Sequence, residues 1–131
     1  MRFKNFVIFV CLFVGTYFLF DNAVSAREGS GSSGWHKLNV LATAYCPCAK
    51  CCGKWADGMT AIGRDASLKG VAVDKRIIPL RSTVRIPGYG TVIADDVGGA
   101  IKRERIDVRF TSHQEALNWG RKNITIYYKT P

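Results

Sequence analysis

The chain has 131 residues and a formal charge of +9, because 19 Lys and Arg residues outnumber 10 Asp and Glu residues. This length allows one small domain with a single core and excludes a multidomain arrangement within the chain. The charge predicts a polyanionic partner, with a solvated basic surface that binds nothing as the alternative. Nucleic acid is not a predicted partner, because the sequence has no recognition-helix or RNA-binding signature.

The N-terminal segment has the three parts of a secretory signal peptide. Arg2 and Lys4 supply positive charge, residues 6–20 are almost uninterruptedly apolar, and residues 24–26 have small side chains or Val. We therefore predict a signal peptide over residues 1–26. An uncleaved anchor is the alternative, although the apolar run is shorter than the roughly 20 residues that a membrane-spanning helix needs. Membrane contact is expected only through this segment, if it is not cleaved.

The next segment, residues 27–34, is rich in Gly and Ser and has no apolar residue, which predicts a flexible linker. The predicted folded domain is therefore residues 35–131, secreted or held in a bacterial cell envelope. For an exported basic domain, the bacterial wall offers a matching polyanionic surface, because it carries peptide carboxylates and phosphate polymers.

Short apolar or alternating segments separated by turn residues indicate a mainly β domain. One short helix is predicted after Ser112, because Glu115 stands at the capping-box spacing and Gly120 ends the segment. Six or seven strands and one helix in about 90 residues favour a closed or nearly closed small barrel. The predicted strands are residues 38–45, 59–62, 70–74, 82–86, 91–94, 106–110 and 123–128.

Four cysteines of the predicted domain stand close together in sequence: Cys46, Cys48, Cys51 and Cys52. An even number of cysteines in a small exported domain favours disulfides, but the sequence does not choose among the possible pairings. Cys51 and Cys52 are not expected to bond each other, because a bond between neighbours is strained. A four-cysteine metal site is the alternative, although zinc ligand pairs usually stand farther apart. Free or redox-active thiols are a third interpretation.

Three aspartates, Asp74, Asp96 and Asp107, follow or lie within apolar segments. Any one of them is most simply a solvent-facing residue. Carboxylates that converge from separate strands repel one another, however, so at least one is expected to have a raised pKa. A carboxyl group that keeps its proton near neutral pH can act as a general acid toward a glycosidic oxygen. Gly98 and Gly99 allow a backbone conformation closed to other residues and leave room for a substrate chain, whereas a tight turn is the simpler interpretation.

The sequence Asp-Val-Gly-Gly-Ala-Ile-Lys at residues 96–102, with Arg-Ile-Asp at residues 105–107, resembles the three-aspartate (3D) domain of bacterial wall enzymes. This domain is shared by the membrane-bound lytic transglycosylase A family and by small stand-alone proteins of spore-forming bacteria. Three further segments, at residues 43–48, 50–53 and 57–61, resemble the opening of its cysteine-bearing members. The resemblance extends over about residues 39–128 and implies a double-psi β-barrel.

The resemblance also implies a peptidoglycan lytic transglycosylase. Such an enzyme is a lyase that cleaves the β-1,4 bond between N-acetylmuramic acid and N-acetylglucosamine and forms a 1,6-anhydro product. Asp107 matches the catalytic acid and base, and the other two aspartates support it. The implied partners are peptidoglycan glycan strands, and the reaction needs no metal or cofactor. The implied site residues are the catalytic Asp107, Asp96 and Asp74 and the substrate-binding Thr60, Gly98, Gly99 and Lys102.

Two other functions remain open on the sequence: a non-catalytic module that binds cell-wall glycan, and a glycoside hydrolase that releases reducing ends. The chain also departs from the family pattern. Val97 replaces the usual Thr, Lys75 the usual Pro, and Arg81 and Arg103 the usual Gly. Val97 removes a hydroxyl beside Asp96, so a hydrogen bond that orients this carboxylate is expected to be missing. Arg103 is expected to alter the loop between Asp96 and Asp107.

Overall fold

The computed structural model describes residues 34–131; the predicted signal peptide and all but the last residue of the predicted linker lie outside the described residues. Between residues 34 and 131, no helix is long and apolar enough to cross a membrane. The strands are β1 (His36–Tyr45), β2 (Gly70–Val73), β3 (Thr83–Ile86), β4 (Gly90–Asp96), β5 (Arg105–Arg109) and β6 (Lys122–Lys129). The helices are α1 (Ala49–Cys52), which a single 3-10 turn follows, and α2 (His113–Trp119).

The strands close into a barrel in the order β1-β5-β2-β4-β3-β6. Two neighbouring pairs are parallel, β1 with β5 and β2 with β4, and the other pairs are antiparallel. Parallel neighbours need crossover connections, so the chain passes over the barrel between their strands. The predicted fold class, a small mainly β double-psi barrel, is confirmed.

Apolar side chains from all six strands fill the barrel, and most of its fully buried side chains are β-branched. Strand β2 is buried along its whole length. It lies between β4 and β5, and all four of its residues are buried, which suits its continuous Gly-Val-Ala-Val sequence better than an alternating one. The core includes Val40, Val71, Val84, Val108 and Ile126.

One predicted strand was wrong. Residues 60–63 form a turn, because Gly63 donates a backbone hydrogen bond to the Thr60 carbonyl and adopts a φ of 78°. An isolated bridge between Met59 and Asp65 is the β pairing found in this segment. The turn places Thr60 beside the barrel rather than within its sheet.

The helices include one that the sequence predicted and one that it did not. At the start of α2, Ser112 accepts a hydrogen bond from the Glu115 backbone and Glu115 caps Ser112 in return, so the predicted capping box is confirmed. Helix α1 is an additional single turn, in which the N–H groups of Cys51 and Cys52 both donate to the Cys48 carbonyl. Between residues 34 and 131, two short α-helices therefore accompany the barrel instead of one.

Candidate functional site

One groove on the barrel collects every site residue that the sequence predicted. Its volume is about 940 Å³, and the loop that carries the cysteines forms part of its wall. The predicted residues come from four separate parts of the chain, which the fold brings together. They are Thr60, Asp74, Asp96, Gly98, Gly99, Lys102 and Asp107.

Asp107 and Asp96 stand on either side of Ala72 in the sheet. Ala72 of β2 pairs with Asp107 of β5 on one side and with Asp96 of β4 on the other. Thr43 of β1 pairs with Asp107 and extends the row. Side chains at paired positions point to the same face. Neighbouring strands are about 4.8 Å apart, so the two aspartate Cα atoms are separated by about 10 Å. The small Ala72 side chain leaves the space between the two carboxylates open.

The carboxyl group of Asp107 is half-buried and accepts a 2.9 Å hydrogen bond from Thr43 Oγ1. Burial raises its pKa above the usual range, and the negative charge of Asp96 adds a smaller upward contribution. The Thr43 hydrogen bond and the positive charge of Arg105 oppose this rise. The sequence predicted a raised pKa from crowded carboxylates, but burial is the larger cause.

The Asp96 carboxylate is fixed by three donors. Tyr45 donates its hydroxyl proton to Oδ2 at 2.8 Å, and the N–H groups of Ala61 and Val97 donate to Oδ1 at 3.1 and 2.9 Å. Val97 has no hydroxyl that could orient the Asp96 carboxylate, as expected from the sequence. Its backbone N–H donates to that carboxylate instead, so the missing hydrogen bond is compensated. The Val97 side chain itself is exposed.

Asp74 forms the most saturated carboxylate of the groove. Arg76 donates to both of its oxygens through Nε at 2.9 Å and Nη2 at 2.6 Å, and its backbone N–H donates as well. The backbone N–H of Arg103 donates to Oδ2 at 2.8 Å. These hydrogen bonds, led by that of the Arg76 side chain, hold the pKa of Asp74 far below its usual range. Asp74 is therefore an ionised anchor for the loop that carries Arg103.

A buried ion pair below the groove was not predicted from the sequence. Asp95 and Arg109 are almost fully buried and join through two hydrogen bonds of 3.0 and 2.7 Å. Arg64 adds a second cation to Asp95 at 2.6 Å. Arg109 also donates to the Tyr45 hydroxyl at 3.1 Å, and Tyr45 in turn donates to Asp96. Burial raises the pKa of Tyr45, so its hydroxyl keeps the proton that it donates to Asp96.

The four predicted substrate-binding residues differ in what they offer. Thr60 is buried, and its hydroxyl oxygen accepts a 3.0 Å hydrogen bond from the Arg64 backbone. Lys102 is exposed along the groove. Neither Gly98 nor Gly99 lies in the left-handed region, and the Ile101 N–H donates to the Gly98 carbonyl at 3.0 Å, so this segment is the tight turn that was the simpler interpretation. A Cβ at Gly98 would come within 2.9 Å of a neighbouring side chain, whereas Gly99 faces open space.

The cysteine loop forms no disulfide between residues 34 and 131, where all four cysteines are free thiols. The favoured disulfide prediction is therefore not confirmed. Cys51 and Cys52 line the groove with the exposed Trp55. The other two cysteines turn away from the groove lining, toward the start of α2, where His113 lies against them.

The fold and the groove define a small double-psi β-barrel domain whose groove is lined by carboxylates from separate strands. Residues 69–129 match the model of the 3D domain family, so this part of the chain is a 3D domain. The predicted resemblance to the 3D domain is confirmed over this range, and the relation to the membrane-bound lytic transglycosylase A family stays a prediction. The matched range includes the three aspartates, Gly98, Gly99 and Lys102, whereas Thr60 and the cysteine loop precede it.

Curated relatives come from Bacillus subtilis (strain 168). YabE, whose name proposes a role in cell wall shaping, is 40% identical over 107 residues, which cover 81% of this chain and 26% of YabE. The cell wall-binding protein YocH is 44% identical over 94 residues, which cover 69% of this chain and 31% of YocH. The chain thus spans about a quarter to a third of the length of these two relatives. The solved Streptomyces papain inhibitor (SPI) is 21% identical, with 72% of this chain and 94% of SPI covered and a TM-score of 0.46.

Proposed function

We propose that this protein is a lytic transglycosylase of the bacterial cell envelope. It would cleave the β-1,4 bond between N-acetylmuramic acid and N-acetylglucosamine in peptidoglycan and form 1,6-anhydro-N-acetylmuramic acid. The observation that carries the proposal is Asp107, a half-buried carboxyl group with a raised pKa that opens into a long groove. The names of YabE and YocH support the cell wall as the substrate and the envelope as the location.

In the proposed mechanism, protonated Asp107 donates its proton to the glycosidic oxygen as the bond from that oxygen to C1 of the muramic acid breaks. The 6-hydroxyl of the same sugar then attacks C1, and the Asp107 carboxylate takes up the hydroxyl proton. The nucleophile belongs to the substrate, so the reaction needs no activated water. A single carboxyl group serves first as acid and then as base.

The hydrogen bonds of the other two aspartates favour this one-carboxyl mechanism over hydrolysis. A hydrolase needs a second free carboxylate, either as a base that activates water or as a nucleophile. Asp96 already accepts three hydrogen bonds and Asp74 accepts four, two of them from a guanidinium group. Both are better suited to fixing the walls of the groove than to reacting.

Cationic side chains along the groove suit the peptide stems of peptidoglycan. Lys75 and Lys102 are exposed and line the same groove as the aspartates, whereas the Arg76 guanidinium is paired with Asp74. The charges of the two lysines attract the carboxylates of the peptides that branch from the muramic acid. The glycan would then lie over Ala72, with its scissile bond beside Asp107.

The experiment incubates the purified protein with peptidoglycan sacculi and identifies the soluble products by mass spectrometry. The wild type should release muropeptides that are one water lighter than hydrolysis products. Asp107→Asn should lower that release about 100-fold or more, the usual contribution of general acid–base catalysis. Asp65→Asn is the matched control, because Asp65 is exposed, caps the nearby Ser67 and lies outside the groove.

A non-catalytic glycan-binding module is the second candidate, and the name of YocH favours it. In that case the wild type would sediment with sacculi and release no soluble product. Release of reducing ends instead of anhydro sugars would identify a hydrolase. Full activity of a folded Asp107→Asn variant, with folding checked by circular dichroism, would overturn the proposed role of this residue.

A further inference from the structure

Three thiols and one imidazole meet beside the groove. The Nδ1 atom of His113 lies 3.6 Å from Cys46 Sγ, 3.8 Å from Cys48 Sγ and 3.5 Å from Cys51 Sγ. All four ligand atoms lie within 4.8 Å of one another. Cys46 is buried, Cys48 and His113 are half-buried, and Cys51 is exposed, so the cluster is embedded but reachable from solvent.

The backbone builds this cluster from two segments that the barrel holds together. β1 and β5 are parallel and end side by side, with Tyr45 opposite Arg109. A backbone hydrogen bond of 2.8 Å from Phe110 to Tyr45 continues the pairing beyond the strand. Cys46 directly follows β1, and His113 opens α2 shortly after β5. The pairing of β1 with β5 therefore places His113 next to the cysteines.

The single turn of α1 fixes the positions of the Cys48, Cys51 and Cys52 thiols. The Cys51 N–H donates to the Cys48 carbonyl at 3.0 Å, which places these residues one helical turn apart. Cys52 points elsewhere, because its thiol donates to the Cys46 carbonyl at 3.3 Å. The cluster thus has three cysteine ligands and one histidine, not the four cysteines considered from the sequence.

We propose that these four residues form a structural zinc site. Tetrahedral Zn²⁺ has Zn–S bonds of about 2.3 Å and Zn–N bonds of about 2.0–2.1 Å, so its sulfur and nitrogen ligands are about 3.6 Å apart. The three sulfur–nitrogen distances agree with this value. Cys46 Sγ lies 2.8 Å from Cys48 Sγ and 3.3 Å from Cys51 Sγ. These pairs would open to about 3.8 Å around the metal.

His113 also answers the argument against a metal site, which was that the four cysteines stand too close together in the sequence. Ligands crowded into a few residues do not close a chain around zinc, but His113 is 62 residues beyond Cys51. Four protein ligands leave no open position, so the zinc would be structural and not catalytic. It would fasten the cysteine loop, with its groove residues Cys51 and Cys52, to α2. The proposal stands whether or not the groove cleaves glycan.

The test measures zinc bound to the purified, thiol-reduced protein by elemental mass spectrometry. We expect one zinc ion per chain, and a cobalt-substituted form with tetrahedral thiolate absorption bands. Cys48→Ser and His113→Gln should weaken zinc affinity by about 100-fold or more, because each removes a ligand. Cys52→Ser is the matched control and should bind zinc as the wild type does.

Several results would overturn the site. One is a reduced wild type that takes up neither zinc nor cobalt; another is a native chain isolated without metal and with its cysteines joined in disulfides. Unchanged zinc affinity in His113→Gln would exclude the histidine ligand, and a loss in Cys52→Ser as large as in Cys48→Ser would favour a four-cysteine site instead. If a ligand variant does not fold, the cobalt spectrum of the wild type still shows whether thiolates bind the metal in tetrahedral geometry.

Discussion

Replacement of Gly70 by alanine tests the buried ion pair that supports the groove. Gly70 opens β2, and its φ does not require glycine. An added Cβ would instead lie 2.2 Å from Arg109 Nη2 and 2.5 and 2.6 Å from the two Asp95 carboxylate oxygens. Carbon atoms do not approach polar atoms so closely, so the methyl group and the ion pair cannot occupy this space together.

The cost follows from the burial of the pair. The side chains of Asp95 and Arg109 are 0% and 1% exposed, so neither can move into solvent without disturbing the core. Separation of a buried pair costs about 3–5 kcal/mol, because a charge is left buried without its partner. We therefore expect Gly70→Ala to lower the free energy of unfolding by about 3–5 kcal/mol, a large part of the usual stability of a small domain.

Urea denaturation followed by tryptophan fluorescence measures this loss, and thermal unfolding should show a midpoint lowered by at least about 12 °C. Gly99→Ala is the matched control. A Cβ there meets nothing within 4 Å and the backbone is not left-handed, so its stability should change by less than about 0.5 kcal/mol. A loss below about 1 kcal/mol in Gly70→Ala would refute the argument that contact with the ion pair requires glycine at this position.

Two further predictions concern the row of side chains across the sheet. Ala72→Leu should abolish release of anhydro-muropeptides, because the larger side chain fills the space between Asp96 and Asp107; the sacculus assay checks this, and undiminished activity would show that the substrate does not lie over Ala72. Thr43→Val removes a hydrogen bond that stabilises the Asp107 carboxylate, so the pKa of Asp107 should rise further. Activity that needs protonated Asp107 is lost as pH rises through this pKa, and the variant should therefore keep activity up to a higher pH, by about 1 unit. A pH–activity profile measures the shift, and a shift toward acid would contradict the assignment of Asp107 as the acid.

The sequence predicted the barrel well because its main signal is local. Alternation and β-branched residues identify strands, and the capping box around Ser112 identifies α2 without knowledge of the fold. The segment at 59–62 misled the prediction because four apolar or β-branched residues look like a strand even when Gly63 closes a turn behind them. The partners of a strand are set by pairing over long distances, which no local pattern contains.

The same limit explains which site residues were missed. Asp95, Arg109 and His113 acquire their roles from contacts with residues at least 14 positions away. Asp95 stands next to Asp96 and looks equally suited to the groove, yet its carboxylate is buried against Arg109, and the pairing of β4 with β2 shifts register at this point. The polar Arg109 on β5 offered a signal, since a charged residue in an alternating strand needs a partner if its face is covered.

Arg81 and Arg103, which stand where the family usually has glycine, share one backbone feature. These are the two non-glycine residues with positive φ among residues 34–131, at 72° and 56°. The left-handed conformation is strained for residues with a Cβ, so the usual glycine at both positions is explained by the backbone and not by room for a substrate. The loop between Asp96 and Asp107 keeps this conformation with Arg103 because Arg103 N–H is held by Asp74. Asp74 thus compensates within this chain for the residue that departs from the family pattern.

The roles that we propose for the three aspartates follow from their backbone surroundings rather than from their mutual repulsion. Asp74 ends β2, where nearby N–H groups and Arg76 converge on it and keep it ionised. Asp96 ends β4, where the N–H of the following residue, Val97, and the N–H of Ala61 in a neighbouring turn both donate to its carboxylate. Asp107 lies inside β5, where its neighbours' N–H groups serve the sheet, so a single hydroxyl donor remains for its carboxyl group in the described part of the chain. Burial with a single hydroxyl donor raises the pKa of Asp107, and this is why we propose Asp107 as the catalytic acid.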